Sequence, residues 1–179
     1  MKVFITALML WINSQTGYAI PEHPNISYVT TNEMKAYAHG CDDDPIPSQS
    51  KDICAAREDW ELDEWAGSKS PIALYNHKEH LIVLNKDFNI ETIHDQSVLL
   101  HELVHHFQSH TGKDFDGTCR GALEKEAYDL QNIWLKEKYN TNVYDTIGIN
   151  ELFLILLTSC GNPYHIPPDP EYQNQHLEK

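Results

Sequence analysis

Apolar positions along the chain fall into three kinds of pattern: an unbroken run over residues 3–12, two short stretches at 71–75 and 80–84, and helical spacing after residue 95. The two short stretches, Pro-Ile-Ala-Leu-Tyr and His-Leu-Ile-Val-Leu, are separated by a polar segment at 76–79, which predicts an antiparallel hairpin. A free hairpin edge is able to pair with an extended peptide through main-chain hydrogen bonds. Beyond it, Asp95 or Ser97 caps a predicted helix that runs to about His110, with Gly112 past its end. A second helix is predicted over 122–139. A third follows over 150–159, with Asn150 as cap and Gly161 as stop. Residues 152–157 of this third helix are apolar on every side, which predicts burial between other elements; they are too few to cross a membrane.

The remaining segments are polar or Pro-rich. Residues 20–27 read as an extended leader, 32–39 as a short helix ended by Gly40, and 41–51, with three consecutive Asp and two Pro, as a loop. The Asp run lacks the spaced ligands and central Gly of a calcium loop. From Pro163 onward four Pro among polar residues predict a mobile tail, 163–179.

The N-terminal apolar run changes the reading of where the domain begins. Lys2 gives a positive start, 3–12 is apolar, and Gly17-Tyr18-Ala19 supplies small residues for cleavage, which is the layout of a secretory signal peptide over 1–19. The run is about half of the roughly 20 residues that a bilayer requires, so a cleaved leader is expected rather than a stable anchor. The domain then spans 20–162, in an exported (secreted or periplasmic) protein.

Charge narrows the partners. The 179 residues carry a formal charge of −14, and loss of Lys2 with the leader makes it −15. No two Lys or Arg residues are adjacent, which argues against nucleic acid and anionic lipid as partners. Four cysteines, Cys41, Cys54, Cys119 and Cys160, read as two disulfides in an exported chain; Cys41–Cys54 and Cys119–Cys160 are the expected pairs. No Cys-x-x-Cys pair points to cysteine metal ligands. The sequence sets no oligomeric state.

The chemistry concentrates in His101-Glu102-Leu103-Val104-His105, an HExxH motif. Residues four apart on a helix lie one turn above each other, so both imidazoles project the same way and suit Zn2+. Glu102 lies about 100° around the helix from His101, placed to take a proton from the attacking water and return it to the leaving group. Leu100, Leu103, Val104 and Phe107 form an apolar face for the core, leaving the histidines to a cleft. His106 and His110 are also four apart. His106 reads as a cleft-side or surface residue, and His110 as a charge complementing the helix dipole; His94 and His80 have no assigned place.

Zinc needs a third protein ligand and an open position. Gln108 and Thr111 stand where a metzincin carries Gly and a third His, so that pattern is absent. The candidates are Glu124 and Glu126, on opposite margins of a stripe formed by Leu123, Ala127, Leu130 and Trp134. HExxH followed some twenty residues later by the helical segment Glu124-Lys125-Glu126-Ala127 resembles the gluzincin metallopeptidases, over residues 95–134. The whole arrangement also resembles a small exported HExxH domain family of no established function. The gluzincin resemblance implies an α+β zincin-like fold, with a small hairpin or sheet packed on the HExxH helix and a second, ligand-bearing helix. It implies Glu124 as third ligand, with Glu126 as the alternative. Related enzymes carry an Asp four residues after the ligand Glu; here Tyr128 holds that place and Asp129 is one step off. Tyr128, His106 and Arg120 are the candidates for polarising a carbonyl.

The expected function is that of an exported zinc metallopeptidase acting on a peptide or protein substrate. Hydrolysis of a non-peptide amide on the same scaffold is one alternative. A non-catalytic zinc-binding module is another, against which Glu102 argues, since a structural site needs no base.

Overall fold

The computed structural model describes residues 1–31, 33–34, 71–113 and 118–160. Its chain divides into two compact units: a sheet unit, Pro24–Glu102, and a helical unit made of Met1–His23 with Leu103–Lys179. The architecture is α+β, as expected.

In the sheet unit, strands β1 (Asn25–Val29), β2 (Ala73–Asn76) and β3 (Leu81–Asn85) form one sheet of order β1-β3-β2. The hairpin of β2 and β3 is antiparallel, with Ala73 opposite Leu84 and Asn76 opposite Leu81. The Asn76 side chain accepts the N–H groups of Lys78 and Glu79, which turns the chain between the strands. Central β3 is buried from Ile82 to Asn85, so its apolar residues run without alternation, whereas edge strand β2 alternates, with Ala73 and Tyr75 buried.

The segment expected as an extended leader instead contributes β1, which pairs in parallel with β3 from Asn25↔Leu81 to Val29↔Asn85. Its alternation is weak because only Val29 of the strand is buried. The consequence is that β3 has no free edge; among the described residues the edges of this sheet are β1 and β2. Just past β1, Glu33 accepts hydrogen bonds from the Thr30 N–H and hydroxyl while the Glu33 N–H reaches back to the Thr30 hydroxyl, a capping box that starts a helical turn. Met34 on that turn packs with Val29 and Val83, and Leu74 and Leu81 flank them. The expected helix over 32–39 otherwise lies outside the described residues, as do the 41–51 loop, the Cys41–Cys54 pair and the 163–179 tail.

Helix α2 (Ile93–His110) begins in the sheet unit and continues into the helical unit. The first helix of the chain, α1, is Lys2–Thr16. The cap of α2 is Thr92 rather than Asp95 or Ser97: its hydroxyl accepts the Asp95 N–H at 3.1 Å. The Asp95 carboxylate is spent on the Asn89 N–H and His94 Nδ1, and the Ser97 hydroxyl on the His94 carbonyl.

The helical unit adds α3 (Arg120–Tyr139), α4 (Val143–Ile147) and α5 (Glu151–Thr158). The stripe of α3 is buried as its spacing predicts, at Leu123, Ala127, Leu130 and Trp134. Cys119 caps α3 and is disulfide-bonded to Cys160, as expected. At Gly121 a Cβ would lie 2.7 Å from the Ser159 carbonyl oxygen, so only glycine permits this approach of α3 to the end of α5. Asn150 caps α5 as predicted, but the expected burial of its apolar centre is corrected: α5 has no buried residue, and Leu152 is 66 % exposed. At its C-terminal end the backbone approach at Gly121 and the Cys119–Cys160 disulfide tie it to α3. The short α4, capped by Asn142, has too few residues to show a period in the sequence.

Residues 1–19, expected to precede the domain as a leader, form α1 and its exit. Ile5, Leu8, Met9 and Ile12 make a buried stripe at helical spacing, and the Trp11 indole donates to Glu137 of α3 at 2.9 Å. Among the described residues no helix is long and apolar enough to cross a membrane.

Candidate metal centre

One uninterrupted helix, α2, carries both motif histidines, and its turn spacing sets them on the same side. Leu99, Leu100, Leu103, Val104 and Phe107 are fully buried, as the apolar face predicts. The polar side is buried too: His101, Glu102 and His105 are each only 7–8 % exposed. Polar groups withdrawn from water at this density require partners or an ion, because desolvation alone disfavours them.

Within the helical unit, α3 brings Glu124 to His105, with Oε2 3.6 Å from Nε2. The ligand atoms of His101, His105 and Glu124 all lie within 4.8 Å of one another. Two ligands on a tetrahedral zinc with bonds of ~2.0–2.1 Å are about 3.4 Å apart. The His105–Glu124 separation matches that edge, and two imidazoles with one carboxylate form a donor set that suits zinc and leaves a position open. Glu102 follows His101 directly on α2 and is not among the grouped ligands.

The choice between the two α3 acids follows from what each touches. Glu126 is engaged elsewhere: it accepts from Gln108 Nε2 at 2.9 Å, from Lys113 Nζ at 3.0 Å and from the Tyr18 hydroxyl. Burial works to raise its carboxyl, but these hydrogen bonds and the lysine charge outweigh it and hold the group below its ordinary value. The same cluster raises the Lys113 ammonium, against a desolvation that works to lower it. Burial, reinforced by the Glu126 carboxylate, pushes the Tyr18 phenol up. Lys113 also stands over the Tyr18 ring, 4.6 Å from its centroid.

The other candidates divide. Arg120 is 77 % exposed on the side chain, and its Nε lies 3.7 Å from Glu124 Oε1, so it neighbours the ligand acid. Tyr128 is half-buried on α3, one turn beyond Glu124. His106 is not a cleft-side or surface residue: it is 2 % exposed, its Nε2 donates to the Glu22 carbonyl at 2.8 Å, and its ring meets that of His110 edge-on. Asp129 pairs with Lys125 at 2.6 Å on the exposed side of α3 and does not orient a histidine.

The residue that sequence reasoning missed is Gln108. It is fully buried, and its Oε1 lies 2.8 Å from His105 Nδ1. The signal was present in the sequence: a Gln three residues after the second motif His lies on the same helical side.

These features define a mixed α+β chain whose helices α2 and α3 assemble a buried two-histidine, one-glutamate group able to hold a metal ion. The chain belongs to the family described as a domain of unknown function (DUF6647), whose model matches residues 48–169. The match takes in HExxH, Gln108, Glu124 and both cysteines of the observed disulfide. No curated protein and no solved structure matches the chain.

Proposed function

We propose that this protein is an exported zinc-dependent metallopeptidase of gluzincin-like type, with His101, His105 and Glu124 as ligands and Glu102 as general base and then acid. The observation that carries the reading is the convergence of the three ligand atoms within 4.8 Å beside a buried Glu102. Bound there, zinc supplies a Lewis acid and eases deprotonation of a water near neutral pH. His101 and His105 present neutral ring nitrogens from a rigid helix. Glu124 contributes one negative charge. Glu102, carried next to His101, accepts a proton from the attacking water and delivers it to the leaving amine. A structural zinc usually takes four protein ligands and has no use for such a base, which favours catalysis over a passive module. Export is supported by the Cys119–Cys160 disulfide, since such bonds persist in oxidising compartments.

The test compares wild type with Glu102→Gln for bound metal and for cleavage of a mixed-sequence peptide library. Stoichiometric zinc in both is expected, with cleavage reduced in the variant by about 10²–10⁴-fold, the usual contribution of a general base. Wild type without stoichiometric metal, or full activity in Glu102→Gln, overturns the assignment. Zinc in both with cleavage of a non-peptide amide only would move the substrate class and keep the site.

A further inference from the structure

His105 is tied to a chain of buried and half-buried polar groups that lies wholly within the helical unit. Gln108 Nε2 donates to the Leu123 carbonyl at 3.0 Å and to Glu126 Oε2 at 2.9 Å. The Leu123 carbonyl carries no proton and can only accept. This fixes which end of the Gln108 amide is which. Its Oε1 must face His105, and a carbonyl oxygen can only accept, so the 2.8 Å contact requires a proton on His105 Nδ1. In the neutral ring the lone pair then sits on Nε2, the atom 3.6 Å from Glu124 Oε2. Next door, His106 takes the other form: Nε2 donates to the Glu22 carbonyl. Neighbouring histidines on one helix are thus set to opposite tautomers by different partners.

We infer that Gln108 is a positioning residue that locks His105 in the Nδ1–H tautomer, with the Leu123 carbonyl fixing the direction of its amide. The lock prepares Nε2 as a ligand before any ion arrives. An imidazole free to exchange tautomers presents the lone pair only part of the time, and loss of such an orienting partner typically costs 10–100-fold in metal affinity. The tautomer part stands on the hydrogen bonds alone; the affinity part rests on the metal reading proposed above.

The experiment reads the two separately. Long-range proton–nitrogen NMR on the metal-free, full-length protein at about pH 8, where imidazole is neutral, reports which ring nitrogen of His105 carries the proton. Chelator competition then measures zinc affinity in wild type and Gln108→Met. His105 is expected to be Nδ1–H in wild type and a mixture in Gln108→Met, with zinc binding weakened about 10–100-fold. An Nε2–H tautomer in wild type overturns the inference outright, even if the variant fails to fold. So does a Gln108→Met protein with unchanged tautomer and affinity, although the metal reading then survives. A wild type that is Nδ1–H but binds no zinc keeps the lock and removes the metal reading.

Discussion

Helices α2 and α5 invert the usual relation between composition and burial. Helix α2 carries His101, Glu102, His105, His106 and Gln108 and buries all of them, while α5, nearly all apolar between its end residues, buries nothing. Polar groups stay inside only when partners compensate for lost water, and on α2 they are found: Gln108 for His105, the Glu22 carbonyl for His106, and the His105–Glu124 approach. Apolar groups on a helix of eight residues have no such requirement, and α5 is tied to α3 by Cys119–Cys160 and by the backbone approach at Gly121. Composition therefore overstates the structural weight of α5 and understates that of α2.

Substitutions can break this contrast. The largest effect is expected in α2: Phe107→Ala, at a fully buried position, should cost about 3–5 kcal/mol in urea unfolding. Next comes the disulfide, which closes a separation of 41 residues. Its removal in a Cys119→Ala, Cys160→Ala protein should cost about 4 kcal/mol by chain entropy. Hydrogen exchange should then show lost protection in α5 first, with zinc binding kept. Leu152→Ser, at an exposed position of α5, should change stability by no more than about 0.5 kcal/mol. A Leu152→Ser protein destabilised like Phe107→Ala would show that α5 is covered in solution and would cancel the comparison.

The same contrast explains what could be read without coordinates. The hairpin, α2, α3 and the cap of α5 follow from period and punctuation, because those signals are local. The motif residues His101, Glu102 and His105 are legible for the same reason. Strand β1 is not, since its place beside β3 depends on a partner more than fifty residues away and only Val29 of it is buried. The choice of Glu124 over Glu126 is not legible either: both flank one stripe, and only the packing that brings Lys113, Tyr18 and Gln108 to Glu126 separates them. Six residues of helix with no polar break look like core, yet nothing in their order states that none of them is buried among the described residues. Likewise, a leader-like apolar segment and the buried stripe of α1 share one sequence, and the docking of Trp11 on Glu137 is seen only in the fold.

The central claim is that α2 and α3 build a metal centre from two histidines and one of two adjacent acids. Zinc retained after dialysis against a chelator, compared among wild type, Glu124→Gln and Glu126→Gln, tests it most directly. The account predicts stoichiometric zinc in wild type, retention with weakened affinity in Glu126→Gln, and loss in Glu124→Gln. Zinc held by Glu124→Gln as tightly as by wild type, or no zinc in wild type, would contradict it.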